Sequence, residues 1–361
     1  MLKPLCWGSL AALAWTHAGY PLAAAALARV RERPVRKADV HARVTVIVAA
    51  HDEEAVIERR VENLRALDYP PDFVEVVVAS DASTDRTEEL AERAGARVIR
   101  NARGGKVAAQ NRAVRKARGE ILAFSDANAI WAPDALAKLV RPFADPDVAY
   151  VCGRLVLQAP DGTNREGAYW RYELRLRESE SRLGSVTGGN GSIYAVRRED
   201  YVEVDPRFGH DLAFPYLMVQ RRRRAVYESE AHAWEKPTPT LESEYRRKVR
   251  MFEHCWLITL RGRMLRDLPP LYLAQIVSHR LLRYGSGLLH LAVLGSSLGL
   301  ARRGGVYRLV LAGQAAMLAH AAARPGLPRY YVLVTWATVE ALVGYLRHGV
   351  AATWESPEGT R

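Results

Sequence analysis

From residue 43 onward the sequence alternates short apolar runs with amphipathic stretches, and this alternation leaves few folds open. Residues 44–50 (VTVIVAA), 73–79 (FVEVVVA), 97–100, 121–124, 148–158 and 193–196 read as strands. Residues 53–67, 84–95, 106–117 and 133–143 read as helices. Val56, Ile57, Val61, Leu64 and Leu67 share one side of the first; Gly95 ends the second, and Pro133 opens the fourth. Strands separated by helices of about 10–15 residues predict an α/β domain with a mostly parallel sheet covered on both faces. Ligands of such sheets bind at the carboxyl ends of the strands. That rule singles out Ala50-His51-Asp52-Glu53, Ser80-Asp81 and Ser125-Asp126-Ala127-Asn128.

The average hydrophobic fraction of 49% hides a segregation, because both ends are apolar and the middle is charged. Residues 5–28 are nearly uncharged and long enough to cross a bilayer at about 1.5 Å per residue. A cleaved signal peptide is the rival reading. The anchor is favoured because the run is long, His17 and Pro21 interrupt it, and positive charge follows it at Arg29, Arg31, Arg33, Arg36 and Lys37. That bias orients the middle of the chain to the cytoplasm. Near the other end, residues 285–301, 306–323 and 330–346 approach the roughly 20 residues of a spanning helix. His279, Arg280 and Arg283 suit an interfacial helix before Tyr284, while Arg302 and Arg303 fall on the outer side of a simple four-span arrangement. The expected layout is a membrane anchor over 1–30, a catalytic domain over 40–260, and an interfacial helix with transmembrane helices over 265–350. This describes a multi-pass protein of the plasma (inner) membrane.

A net charge of +12 suits nucleic acid, anionic lipid or phosphate-bearing substrates. The charge clusters beside the apolar segments and no nucleic-acid-binding motif is present, so nucleic acid is not an expected partner. The run Arg221 to Arg224 reads as a solvated helix end. Cys6, Cys152 and Cys255 are few, distant and odd in number, which excludes a disulfide framework or a CxxC metal site and fits a reducing compartment.

In an extended chain, positions i and i+2 point to one side, so Asp126 and Asn128 can face one cation with oxygen ligands. Mg²⁺ or Mn²⁺ is the matching choice. The plainer alternative is an Asn/Asp turn in which Asp126 caps the next helix. Lys106 follows Gly104-Gly105 and opens a helix, an arrangement suited to phosphate; a solvated lysine is the alternative, and the spacing is not that of a P-loop. The loop Thr187-Gly188-Gly189-Asn190-Gly191-Ser192 permits close backbone approach. Asp85 is expected to cap or begin the helix after it.

The middle of the chain, roughly residues 43–260, resembles family 2 glycosyltransferases of the GT-A fold. The carriers are VTVIVAAHDEE (44–54), VVASDASTD (77–85), Gly104-Gly105-Lys106 with Gln110-Asn111, Ser125-Asp126-Ala127-Asn128, Gly188 to Ser192, and His210-Asp211, in the family's order. The flanking segments resemble those of bacterial membrane-bound, polysaccharide-forming members. The resemblance implies a Rossmann-like GT-A catalytic domain with N-terminal and C-terminal transmembrane helices. It implies inverting transfer from a nucleotide-sugar, a UDP-sugar, to a glycan or lipid-linked acceptor at the cytoplasmic membrane face. It places Asp126 and Asn128 at the Asp-any-Asp metal motif; Asn128 drops one charge, so the bound diphosphate carries more of the coordination. It places Asp81 at the base and ribose, with Asp52 and Glu53 near the uridine pocket and His51 replacing a usual Asn. Lys106 falls at the diphosphate, Gly189, Asn190 and Gly191 at a wall beside donor and acceptor, and Asp211 at the catalytic base, with His210 replacing the usual acid. Arg247 stands where processive synthases carry the arginine of Gln-any-any-Arg-Trp, although that Gln and Trp are missing here. Arg247 can bind diphosphate on this reading, or belong to a basic helix lying on anionic lipid. His232, Trp234 and Glu235 fall near the acceptor side. Two alternatives stand beside this one: a polyprenyl-phosphate glycosyltransferase, and a non-catalytic membrane protein retaining a nucleotide-sugar-binding domain.

Overall fold

The computed structural model describes residues 1–157, 167–238 and 240–353; Gln158, at the end of one expected strand, and the start of the long charged helix that the sequence predicts from after Asn164 to about Gly184 lie outside them. In chain order the elements are α1 (Leu2–Ala14), a π turn (Trp15–Gly19), α2 (Tyr20–Val30), β1 (Val44–Ala50), α3 (Ile57–Arg65), β2 (Val74–Asp81), α4 (Thr87–Arg93), β3 (Arg97–Asn101), α5 (Lys106–Lys116), β4 (Ile121–Asp126), β5 (Ile130–Trp131), α6 (Ala135–Val140) and β6 (Val148–Leu157). There follow α7 (Ala168–Leu183), β7 (Tyr194–Arg197), α8 (His210–Gln220), β8 (Arg224–Glu235), α9 (Leu241–Arg261), α10 (Pro270–Gln275), a π turn (Ile276–Leu281), α11 (Leu282–Tyr284), α12 (Ser286–Leu300), α13 (Gly305–Ala323) and α14 (Leu327–His348). The chain divides into two units, one holding the sheet (24–239, 264–269 and 351–361) and one all-helical (1–23, 240–263 and 270–350).

In the first unit the described strands form one eight-stranded sheet ordered β3-β2-β1-β4-β7-β6-β8-β5. The β3-β2-β1-β4 half is parallel. β7 runs antiparallel to both β4 and β6, β6 and β8 are parallel, and β5 is antiparallel to β8. The mostly parallel sheet expected from the alternation therefore holds on one side and becomes mixed on the other. β1 is buried on both faces apart from partial exposure at Ala49, as a near-continuous apolar run, broken only by Thr45, requires of a strand covered from both sides. Val46, Val48, Ile57, Leu64, Ala123 and Leu136 belong to one core cluster. The register sets Ala49 beside Ala79 and Asp126, and Ala50 beside Ser80, so three strand ends finish at one edge.

The expected solvated Arg run is corrected by the structure. α8 ends at Gln220 and Arg224 begins β8, with only 3% of its surface exposed. Its guanidinium donates to the carbonyls of Arg33 (2.7 Å), Pro34 (3.0 Å) and Gly184 (3.0 Å). A buried charge is tolerated when its donors are satisfied in this way. Arg223 pairs with Asp200 at 2.6 Å, and only Arg221 and Arg222 face solvent.

In the helical unit Gly287 permits a close crossing, since a Cβ there would stand 2.4 Å from Val339 Cγ2. Trp256 Nε1 donates to the Thr338 carbonyl at 3.0 Å, and Trp15 Nε1 donates to Ser278 Oγ at 2.9 Å. His279 and Arg283, expected at an interface, are buried within this unit. Among the described residues no single helix is long and apolar enough to cross a membrane; by length and composition one bent pair is, Pro270–Tyr284 with Ser286–Arg303 at 63°.

Candidate active site

The loops after β1 and β2 are laced together. Thr84 N donates to Asp52 Oδ1 (2.7 Å), Glu54 N to Asp85 Oδ2 (3.0 Å), Arg86 N to Glu54 Oε2 (3.1 Å), and Glu53 N to Thr87 Oγ1 (2.7 Å). Asp85 also accepts from Thr87 N at 2.9 Å, a local turn that leads into α4; it stands one residue before the N-cap position, Arg86, and neither caps nor begins the helix. Asp52 and Ala82 adopt positive φ to make these turns. Burial opposes the charge on Asp52, but the Thr84 N–H, His51 and the Asp85 N–H outweigh it and lower its pKa. His51 Nε2 stands 3.4 Å from Asp52 Oδ2, and Glu53 is buried beneath the loop.

Asp81, the last residue of β2, is 3% exposed. Its carboxylate accepts from Gly104 N (2.7 Å), Gly105 N (2.9 Å) and Arg103 Nη1 (3.0 Å). One carboxylate thus fixes the loop that launches α5. Gly105 has φ of 88°, and a Cβ there would stand 2.1 Å from the Ala352 carbonyl oxygen, so both backbone and space demand glycine. Asn111, farther along α5, donates to the Val204 carbonyl at 2.9 Å and accepts from Tyr201 at 2.6 Å.

Lys106 is the first residue of α5 and its ammonium pairs with Asp126 Oδ1 at the end of β4. Burial opposes its charge, yet Asp126, then Asp211 and Glu235, outweigh burial and raise its pKa. Asp126 pairs with the lysine directly, and Asp211 and Glu235 act on it electrostatically. Behind them stands Arg60, completely buried on α3, with Nη2 donating to Ser125 Oγ at 2.7 Å and the guanidinium 5.0 Å from the Trp131 ring centre. Burial lowers its pKa to about 9, against the pull of Asp126 and Glu235. It stays cationic at neutral pH and balances those carboxylates.

The glycine loop comes to the same place. A Cβ on Gly191 would stand 3.2 Å from Lys106 Nζ and 3.5 Å from Asp126 Oδ2. A Cβ on Gly189 would stand 2.0 Å from Tyr150 Oη. Asn190 works on the loop itself: its amide donates to the Gly153 carbonyl (2.7 Å) and accepts from Ser192 N (3.1 Å) and Ile193 N (2.9 Å). Gly189 N donates to the Asp211 carbonyl at 2.7 Å, tying this loop to the start of α8.

Asp211 lies in the first turn of α8 and is partly exposed. Its neighbour His210 is buried among Phe124, Tyr201 and Phe214, with Nδ1 2.8 Å from Tyr194 Oη. Burial, with Lys106 adding to it, lowers the His210 pKa from 6.5 to about 3. His210 is therefore neutral and packs within these aromatic rings, next to Asp211 in the chain. Between pH 6.5 and 3 the unfolded chain binds a proton here that the folded chain refuses, so stability falls as pH drops through that window. His210→Gln is expected to flatten that part of the stability-versus-pH curve, measured by denaturant unfolding at a series of pH values.

The structure thus brings together Asp81, Lys106, Asp126, Gly189, Gly191 and Asp211, with His51 and Glu53 on the neighbouring loop. Arg247 lies in the helical unit on α9 and pairs with Glu244 at 2.9 Å. Arg60 was not anticipated, because an arginine in the run Glu58-Arg59-Arg60 reads as part of a polar helix face. For a metal, no three His, Cys, Asp or Glu side chains converge among the described residues. Asp126 ends β4 and Asn128 lies in the turn just after it; carboxylate and amide oxygens are the donor types that a divalent cation shares with substrate phosphates.

The family model for glycosyl transferase family 2 matches residues 45–204. Beta-monoglucosyldiacylglycerol synthase of Synechocystis sp. is 34% identical over 162 residues, 42% of this chain and 33% of that protein. Poly-beta-1,6-N-acetyl-D-glucosamine synthase of Staphylococcus aureus is 24% identical over 220 residues, 57% of this chain and 53% of that protein. The chain spans 33% to 36% of the length of the first curated relatives it matches. Among solved structures, the mannosyltransferase PcManGT from Pyrobaculum calidifontis, in complex with GDP-Man and Mn²⁺, has a TM-score of 0.74 and 25% identity, covering 96% of this chain and 99% of that one.

Proposed function

The chain belongs to glycosyl transferase family 2 through residues 45–204, and from that premise we propose that it is an inverting glycosyltransferase using a nucleoside-diphosphate sugar and a divalent metal. The observation that carries the reading is the pairing of Lys106 with Asp126 beside Gly191, whose Cβ would stand 3.2 Å from the lysine ammonium. Asp211 takes the proton of the acceptor hydroxyl as that oxygen attacks the anomeric carbon. It lies partly exposed in the first turn of α8, next to the buried, neutral His210. Lys106, at a helix N-terminus, gives the departing diphosphate a positive charge. Asp126 with Asn128 would hold the metal, which when bound neutralises charge on that diphosphate. Asp81 fixes the Arg103-Gly104-Gly105 turn and thereby the start of α5, beside the nucleoside.

The donor expected from the sequence is a UDP-sugar; likeness to a mannosyltransferase in complex with GDP-Man supports GDP-mannose as the second candidate. The acceptor is a lipid-linked or glycan hydroxyl at the cytoplasmic membrane face. The likeness to a synthase named for a glucosylated diacylglycerol supports a lipid acceptor. Membrane attachment is supported by exposed Trp7, Trp15, Leu298, Leu309, Trp336 and Leu346 in the helical unit and by the bent apolar pair.

Thermal unfolding of the purified chain with UDP-glucose, UDP-N-acetylglucosamine or GDP-mannose, each with and without Mn²⁺, tests the reading. One donor is expected to stabilise the protein with Mn²⁺ and to do little without it; at 100 times Kd the gain is about 2.7 kcal/mol. Absence of stabilisation by every donor under both conditions contradicts the proposal.

A further inference from the structure

Resting on the functional reading above, we propose that Arg60 is a positioning residue whose one guanidinium clamps both ends of the 125–131 turn, the turn that carries Asp126 and Asn128. At the near end Nη2 donates to Ser125 Oγ at 2.7 Å. At the far end Nη1 donates to Asn63 Oδ1. Asn63 in turn brackets Trp131, accepting from its N–H at 2.9 Å and donating to its carbonyl at 3.0 Å. The guanidinium also lies 5.0 Å from the centre of the Trp131 ring. Arg60 Nε has no acceptor among the described residues. The hydrogen bonds of the group therefore go to the two residues that hold the ends of the turn.

The clamp extends to the glycine loop. Because Arg60 only donates, the Ser125 hydroxyl is an acceptor toward it, and its single proton turns to the carbonyls of Asp126 (3.0 Å) and Ser192 (3.2 Å). Trp131 Nε1 donates to the same Ser192 carbonyl at 2.9 Å. Both ends of the turn thus meet on the residue that closes the loop Gly188 to Ser192. Arg60, Ser125, Trp131 and Ser192 are all buried, so water does not readily replace a lost partner. Packing alone does not call for a charge here, since an apolar residue on the same helix face would avoid its desolvation. What arginine supplies is a planar fork of donors in fixed geometry, which the point charge of a lysine lacks. A misplacement of about 1 Å can cost about a hundredfold in rate, so the seat of Asp126 and Asn128 bears on turnover.

The test is hydrogen–deuterium exchange of the full chain without ligand, read by mass spectrometry. It is paired with the rate of nucleotide release from saturating UDP-glucose, UDP-N-acetylglucosamine or GDP-mannose with Mn²⁺, in separate arms. In Arg60→Met the peptides covering 125–132 and 187–193 are expected to exchange at least about tenfold faster than in wild type, while those covering 44–50 and 74–81 keep their rates. Nucleotide release is expected to fall at least about tenfold. Arg60→Lys keeps the charge without the fork and is expected to match Arg60→Met in both readouts. Ser125→Ala removes the near anchor and is expected to loosen the same two segments; added to Arg60→Met it should slow release no further. Native exchange at 125–132 and 187–193 in Arg60→Met overturns the clamp, as does native turnover despite faster exchange. Full recovery in Arg60→Lys makes the charge the cause and overturns it too, and faster exchange in all four segments reduces Arg60 to a general stabiliser. Absence of release by wild type from every donor counts against the functional reading, and exchange alone then decides the clamp. If Arg60→Met does not fold, Ser125→Ala decides: native exchange at both segments overturns the clamp.

Discussion

Asp211→Asn is expected to fold as the native chain does and to lose about 10²–10⁴ in kcat, the range a positioned general base supplies. The substitution keeps the size of the side chain and removes its capacity to take a proton. The link that seats α8 runs from Gly189 N to the backbone carbonyl of Asp211, and the replacement does not touch it. Because the base acts on the acceptor, the KM for the donor should change little. Steady-state kinetics with saturating acceptor read this split directly. A variant with native kcat removes Asp211 from the mechanism.

Asp126→Ala carries the second large effect. It takes away the proposed metal carboxylate and leaves Lys106 without its ion-pair partner. If metal charge lowers the barrier by about 4 kcal/mol or more, turnover falls at least about a thousandfold. The variant is also expected to lose the Mn²⁺-dependent part of donor stabilisation. Its melting temperature should drop even without ligand, since Lys106 and Arg60 then share a partly buried region with less compensating charge. Asp126→Asn separates the two causes, because it restores the volume and a hydrogen-bond acceptor but not the charge.

Much of this site was legible in the sequence because it follows from strand order. The runs at 44–50, 73–79 and 121–124 each end in an acidic or polar turn, and parallel pairing brings those ends to one edge. The Gly104-Gly105-Lys106 turn was legible for the same reason. β8 was not. Its sequence, RAVYESEAHAWE, carries charges at several positions, and it is held as a strand by pairing with β6 far away in the chain. Missing β8 also hid the environment of Glu235 at its end, which lies within the electrostatic reach of Lys106 and Arg60. Arg60 was hidden by a different cause. Its helix face becomes interior only when Trp131 and Ser125, from distant segments, close over it.

Local chemistry also changed the meaning of residues that were noticed. Asp81 is implied by the resemblance as a nucleoside ligand, whereas in the fold three donors of the Arg103-Gly104-Gly105 turn already engage its carboxylate. Asn190 reads as part of a substrate wall, whereas its amide bonds the loop's own backbone and Gly153. His210, where the family has an acid, reads from sequence as tuning Asp211 or simply packing, and in the fold it is a neutral ring in an aromatic cluster. Each reading depends on where a side chain's hydrogen bonds go, and that is set by tertiary pairing, which spacing alone does not fix.

The central claim is that sugar transfer proceeds at Asp126 with a divalent metal. The most direct measurement is the initial rate of nucleoside diphosphate release from the donor that stabilises the chain, in the presence of acceptor lipid, as Mn²⁺ is varied. Wild type and Asp126→Ala are compared at equal concentrations of folded protein. The account predicts a rate that rises and saturates with Mn²⁺ in wild type, vanishes with EDTA, and stays at background in Asp126→Ala. A metal-independent rate shared by both proteins would contradict it.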